Sequence, residues 1–157
     1  MDSLLSSINE FAATAVSLQV LQENIVTAIA RNLPHYDWVG FYMLDPDDSQ
    51  MLVLGPFVGD PTPHVRIPVN QGICGAAVAS ESAVIVDDVN ADPRYLSCSV
   101  KTRSEIVVPI FVRGAVIGEI DIDSHTPAAF GETDRLFLED VAAVVGGFVE
   151  SARRASE

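Results

Sequence analysis

The chain has 157 residues, and its 22 acidic side chains against 9 basic ones give a formal net charge of −13. This length suits one domain that folds around its own core without disulfides or a structural metal. The negative field repels nucleic-acid phosphates and anionic lipids, so we expect neither nucleic acid nor a membrane surface as a partner.

Two long helices are predicted near the ends of the chain. Apolar residues recur every three or four positions from about Leu4 to Leu33, where Pro34 ends the pattern. The same spacing runs from about residue 132 to residue 154, and acidic residues open this second segment, where a helix favours negative charge. We therefore predict helices over about residues 4–33 and 132–154.

The middle of the chain, about residues 37–124, is predicted to form a β-sheet. It contains six short runs rich in β-branched and aromatic residues, separated by turns that contain Pro, Gly and Asp. Only the segment CGAAVAS looks helical within it. Strands grouped between terminal helices predict a single α+β domain, with a mainly antiparallel sheet, helices on one face and the other face left for a ligand.

The first aromatic strand, DWVGFYML, places Trp38, Gly40 and Tyr42 on one face, while the residues between them face the core. A glycine between two large rings leaves space, so these rings could line a small pocket. Ordinary aromatic packing on a strand is the alternative.

Either cysteine of the chain is a candidate nucleophile. Gly72 and Gly75 flank Cys74 where the short helix would begin, and the free N–H groups of a helix N-terminus stabilise a thiolate. Cys98 lies in a polar segment seven residues before Glu105. The residues alone do not separate the two cysteines, and a small buried residue packed under a turn is the alternative for each.

A strand near the end of the sheet region, GEIDID, is predicted to carry Glu119, Asp121 and Asp123 on one face and two isoleucines on the other. Carboxylates grouped in this way repel each other unless solvent or a bound cation offsets their charge. A solvent-exposed face and a cation-binding site both explain the pattern.

Whether Glu105 joins this acidic face depends on the hairpin that follows it. A three-residue loop, Arg113–Ala115, places Glu105 opposite Asp123, whereas a two-residue Arg-Gly turn shifts the pairing by one residue and sends Glu105 to the other face. Pro109 cannot donate to a strand ladder, so it predicts an edge or a bulge, and a bulge also changes the face.

Location and metal binding follow from what the sequence lacks. The first ten residues lack a basic targeting region, and no stretch reaches the roughly 18 consecutive apolar residues of a membrane span. We expect a cytoplasmic protein whose cysteines start reduced. Two cysteines and three isolated histidines, His35, His64 and His125, predict neither a disulfide scaffold nor a metal site, and we interpret the histidines as surface residues.

Five segments together resemble one family, the free methionine-(R)-sulfoxide reductases, which are stand-alone GAF domains. The segments are DWVGFYML, LVLGPFVG, VRIPVNQGICG, SCSVKTRSEIVVPI and VIGEIDIDS, in the family's order and spacing. The resemblance covers roughly Trp38 to Glu139. It implies a GAF-like fold over residues 1–157 and the reduction of free methionine-(R)-sulfoxide, and we expect a homodimer.

The resemblance also implies a role for each candidate residue. Cys98 corresponds to the catalytic cysteine. Glu105, Asp121 and Asp123 correspond to carboxylates that bind the sulfoxide oxygen and the substrate ammonium. The aromatic wall around the substrate methyl corresponds to Trp38 and Tyr42.

His64 stands where the family usually carries a further cysteine. We therefore expect Cys74 to form a disulfide with oxidised Cys98, which a thioredoxin-like dithiol then reopens, with no other cofactor. The alternatives are an external thiol in place of Cys74, a GAF module that only binds a small molecule, and a structural domain whose two long helices pack against a second copy.

Overall fold

The computed structural model describes residues 1–97 and 99–156. In chain order its elements are helices α1 (Asp2–Thr14) and α2 (Leu18–Asn32), strands β1 (Trp38–Asp45), β2 (Asp48–Val58) and β3 (Arg66–Pro68), helix α3 (Gly72–Ser80), strands β4 (Val84–Val86), β5 (Ser104–Val112) and β6 (Ala115–Ser124), and helix α4 (Glu132–Ala155). The strands form one sheet in the order β3-β2-β1-β6-β5-β4, and every neighbouring pair is antiparallel. The predicted α+β architecture is confirmed.

The sheet separates two apolar clusters. Helices α1, α2 and α4 pack on one face around Val39, Phe41, Ile120 and Ile122, whereas α3 packs on the other face with Trp38 and Tyr42. The alternation predicted for β1 and β6 is therefore confirmed. The described part of the chain contains no helix that is both long enough and apolar enough to cross a membrane.

The N-terminal segment forms two helices rather than the single helix expected over about residues 4–33. Ser17 has an extended backbone, and its side-chain oxygen accepts a hydrogen bond from the Val20 N–H at 3.2 Å, which caps the start of α2. The apolar spacing continues across the break, so that Ile8 of α1 and Ile25 of α2 reach the same core. Periodicity alone therefore could not reveal the break.

The start of α4 is held by one carboxylate. Asp134 accepts a hydrogen bond from the Gly131 N–H at 2.9 Å, and its other oxygen accepts the hydroxyl proton of Tyr36. Burial, reinforced by Asp134, raises the pKa of Tyr36. Asp134 thus joins the helix N-terminus to the segment that enters β1.

Replacing Asp134 by alanine should lower the free energy of unfolding by about 2–3 kcal/mol, because the helix loses its cap and the buried Tyr36 hydroxyl loses its partner. Urea denaturation measures this change. Asp140→Ala, at an exposed position on the same helix, is the matched control and should change stability by no more than about 0.5 kcal/mol. Equal effects of the two substitutions would contradict the role of Asp134.

Candidate active site

The hairpin between β5 and β6 turns through two residues. Arg113 and Gly114 both have positive φ, at 52° and 79°, as the favoured two-residue hairpin turn requires. Val112 consequently pairs with Ala115. Of the two hairpins that the sequence left open, the structure has the two-residue turn, which by itself would send Glu105 to the other face.

A β-bulge restores the pairing that this turn would otherwise lose. The ladder skips Ile117 on β6, which shifts the pairing by one residue, and Glu105 lies opposite Asp123. The bulge lies one residue beyond Pro109, which is itself outside the three β5 residues that pair with β4. Pro109 thus predicted the irregularity correctly, and Glu105 reaches the acidic face.

Four carboxyl groups lie together on the α3 side of the sheet. Glu119, Asp121 and Asp123 alternate along β6, and Glu105 joins them from β5. None exposes more than 6% of its surface. A solvent-exposed acidic face is therefore excluded, and the repulsion between these groups must be offset inside the protein.

Cys74 lies in the first turn of α3, directly against this cluster. Its Sγ donates a hydrogen bond to Asp121 Oδ2 at 3.5 Å. Burial raises the pKa of the thiol well above its ordinary value, and the charges of Asp121, Glu119 and Glu105 raise it further. The helix N-terminus, which made Cys74 a candidate thiolate in the sequence, is outweighed by burial and by the carboxyl groups.

Two of the four carboxyl groups, Glu119 and Asp121, have raised pKa values. Burial raises the pKa of Glu119 well above its ordinary value, and the charge of Asp121 raises it further. Burial also raises the pKa of Asp121, although hydrogen bonds with Glu105 and Cys74 oppose this. Glu119 and Asp121 therefore favour the protonated form more than an ordinary carboxyl group does.

An aromatic wall stands beside the cluster on the same face. The rings of Trp38 and Tyr42 stack with centroids 6.3 Å apart, and Phe57 stacks on Trp38 at 5.4 Å. The Trp38 ring lies over Gly40, where a Cβ would come within 2.4 Å of it. Its Nε1 donates to the Asp60 carbonyl at 3.0 Å, which fixes the plane of the ring.

The described residues line two cavities on this face. The smaller, of about 30 Å³, is lined by Tyr42, Cys74, Glu105 and Asp121, among others, and has roughly the volume of one water molecule in the liquid. The larger, of about 210 Å³, is lined by Trp38, Asp123 and Lys101, among others. Only the larger cavity has room for a small amino acid.

His64 belongs to this site, although we interpreted it as a surface residue. It lines the smaller cavity, its Nε2 lies 2.9 Å from the Ser97 carbonyl oxygen, and its own carbonyl accepts the Tyr42 hydroxyl proton at 2.7 Å. It thus joins the aromatic wall to the residue before Cys98. A lone histidine between two loops gives no sequence signal for such a contact.

The remaining predicted residues are placed as follows. Cys98 lies outside the described residues, although its neighbour Ser99 lines the larger cavity. Glu119 was predicted on the acidic face without a role, and the alternation of β6 was a signal that could have assigned it to the site.

The comparisons with known proteins agree with this geometry. The family model of the GAF domain matches residues 17–147. The chain is 36% identical over 135 residues to the free methionine-R-sulfoxide reductase of Escherichia coli (strain K12), covering 86% of this chain and 79% of that protein. It is also 42% identical over 119 residues to Protein YtsP of Bacillus subtilis (strain 168), covering 76% of this chain and 72% of that protein.

One solved structure is similar over almost the whole chain. It is the free methionine-R-sulfoxide reductase of Neisseria meningitidis in complex with its substrate, with a TM-score of 0.91 and 38% identity, covering 97% of this chain and 89% of the other. The fold and the site together thus define a GAF domain with a buried acidic pocket. The chain belongs to the GAF domain family and, within it, to the free methionine-R-sulfoxide reductases.

Gly40→Ala should displace the Trp38 ring and lower the free energy of unfolding by about 1–3 kcal/mol, because the new Cβ overlaps the ring. The chain has one tryptophan, so its fluorescence reports the displacement directly. Gly147→Ala, where nothing lies within 4 Å of the added Cβ, is the control and should leave the emission unchanged. An unchanged spectrum in Gly40→Ala would contradict this packing.

Glu119→Gln should flatten the pH dependence of stability. An acid with a raised folded-state pKa contributes stability that is fully present below the unfolded-state pKa, near 4.5, and is lost as the pH rises toward the folded-state value. Each pKa unit between the folded and unfolded states changes the free energy of unfolding by about 1.4 kcal/mol. Urea denaturation across a pH series should therefore show that the free energy of unfolding declines less with rising pH in the variant than in the wild type. Glu10→Gln, at an exposed position of α1, is the control, and a slope unchanged by Glu119→Gln would refute this assignment.

Proposed function

We propose that the protein reduces free methionine-(R)-sulfoxide to methionine. The observation that carries the proposal is a set of four buried carboxyl groups beside an aromatic wall, on the sheet face with a cavity of amino-acid size. Family membership and the relative solved with its substrate support the same activity.

The substrate fits the charges of the site. Methionine sulfoxide carries an ammonium group, a carboxylate and a polar S=O group. Asp123 offers a negative charge to the ammonium, and Lys101 of the same cavity offers a positive charge to the carboxylate. Trp38 and Tyr42 supply an apolar surface for the methyl group. A zwitterion thereby offsets charge that is costly in the protein alone.

The chemistry transfers the sulfoxide oxygen to Cys98. The S–O bond of the substrate breaks, a new S–O bond forms on the cysteine sulfur, and two electrons pass from the cysteine to the substrate sulfur. The products are methionine and a cysteine sulfenic acid. Asp121, whose pKa burial raises, protonates the oxygen as it departs, with Glu105 beside it, and this step requires the carboxyl group in its acid form.

Cys74 is proposed to complete the cycle. Its thiol condenses with the sulfenic acid, releasing water and forming a disulfide, which a thioredoxin-like dithiol then reduces. Cys74 exposes only 5% of its surface, so the reductant has to attack the other sulfur and expel Cys74. The neighbouring carboxyl groups can protonate the departing sulfur. No cofactor beyond the dithiol is required.

Two further expectations stay predictions. The proposed homodimer would bury apolar surface of the helical layer, where Val16 and Leu136 are exposed. The cytoplasmic location accords with a mechanism that needs a reducing thiol pool.

The assay supplies reduced protein with free methionine-(R)-sulfoxide and a thioredoxin system, and measures methionine. We expect sustained turnover by the wild type and a loss of at least about 1,000-fold in Cys98→Ser, since a covalent nucleophile cannot be replaced. Cys74→Ser should release a single equivalent of methionine and then stop.

The outcomes separate the alternatives. Sustained turnover in Cys74→Ser would show that an external thiol resolves the sulfenic acid. Binding of the sulfoxide by calorimetry with no methionine formed would reject the reductase and favour a GAF module that only binds. Retained activity in Cys98→Ser would refute the proposed nucleophile.

A further inference from the structure

We propose that Cys74, Glu105 and Asp121 form a binding site for a thiophilic divalent cation, with Zn²⁺ as the best match. The three side chains come from different elements, α3, β5 and β6, and meet at the smaller cavity. This metal site does not depend on the reductase activity, although the inhibition by Zn²⁺ that we expect from it does.

The separations of the ligand atoms suit zinc. A tetrahedral Zn²⁺ with a sulfur ligand at about 2.3 Å and an oxygen ligand at about 2.1 Å holds those two atoms about 3.6 Å apart. Cys74 Sγ and Asp121 Oδ2 are 3.5 Å apart. Ligand atoms of all three residues lie within 4.8 Å of one another. A shift of about 1 Å by one side chain would therefore complete three corners of the tetrahedron.

A second observation points to a ligand. Asp121 exposes 6% of its surface, and its Oδ1 is buried with no hydrogen-bond partner among the described residues. The side chain lines the cavity of about 30 Å³ shared with Cys74 and Glu105. A cation there would satisfy the buried oxygen, and a water molecule from solvent would supply the fourth ligand.

The electrostatic setting also favours a cation. None of the ion pairs formed between residues of the described ranges 1–97 and 99–156 involves Asp121 or Glu119, and the net charge of the chain is −13. Binding would transfer the Cys74 thiol proton to solvent and place the thiolate on the metal. The sulfur ligand selects Zn²⁺ or Cd²⁺ over Mg²⁺ and Ca²⁺, which prefer oxygen.

The test uses metal-free, reduced protein titrated with Cd²⁺ and Zn²⁺. Cd²⁺ should produce an ultraviolet sulfur-to-metal charge-transfer band that saturates at one ion per chain, and Zn²⁺ should displace it. Cys74→Ser should abolish the band, whereas Cys98→Ser should retain it. Asp121→Asn should weaken the affinity by at least about 100-fold. Loss of a residue that only hydrogen-bonds to a metal ligand already costs up to about 100-fold, and Asp121 is proposed to bind the metal directly.

Several results would overturn the proposal. They are the absence of a band in the wild type, a band that survives Cys74→Ser but not Cys98→Ser, or a calorimetric affinity for Mg²⁺ equal to that for Zn²⁺. Circular dichroism checks that each variant is folded. If Cys74→Ser does not fold, Asp121→Asn and Cys98→Ser still decide the location of the ion.

The functional consequence rests on the proposed function. A cation bound here would occupy Glu105 and Asp121, which are proposed to act on the sulfoxide oxygen, so Zn²⁺ should inhibit competitively with substrate. Each protein is compared with itself: Zn²⁺ should slow single-turnover formation of methionine in the wild type, whereas the Cys74→Ser rate, whatever its value without metal, should not change when Zn²⁺ is added. Metal binding without reductase activity would reject only the proposed function, and reductase activity without metal binding would reject only this site.

Discussion

The burial of four carboxyl groups on one face of the sheet is the constraint on which the rest of this site depends. Neighbouring carboxyl groups that are buried in a low-dielectric interior cannot all ionise, because their negative charges repel each other and are poorly solvated. Burial accordingly raises the pKa values of Glu119 and Asp121, which favours their protonated forms. The same environment keeps the Cys74 thiol neutral. An acidic face that the sequence alone suggests is solvated is thus buried in the fold, and two of its carboxyl groups have raised pKa values.

Backbone geometry, rather than side-chain packing, determines which carboxyl groups belong to this buried cluster. Glu105 belongs to the cluster because a bulge at Ile117 offsets the two-residue turn at Arg113 and Gly114. Without the bulge, the turn would send Glu105 into the helical core. One unpaired residue therefore places an acid in the pocket, and bulges next to functional sites commonly re-aim a side chain in this way.

The two proposals share one physical origin. A buried group of carboxyl side chains can be stabilised by protons, by the ammonium group of a zwitterion or by a metal cation, and these compete for the same oxygens. Cys74 extends the choice toward thiophilic metals, because its sulfur lies 3.5 Å from Asp121 Oδ2. If both proposals hold, the carboxyl groups couple sulfur redox chemistry to metal binding.

The sequence by itself determined the two faces of β1 and β6, the fold class and the family, because strand alternation and motif order are local properties of the chain. It did not determine the break at Ser17, since the apolar period continues across it. It also could not place His64, whose contact with Ser97 joins segments distant in sequence. Only the tertiary structure decided the protonation of the acidic face and of Cys74, because a pKa depends on burial and neighbouring charges, which the linear order of residues does not contain.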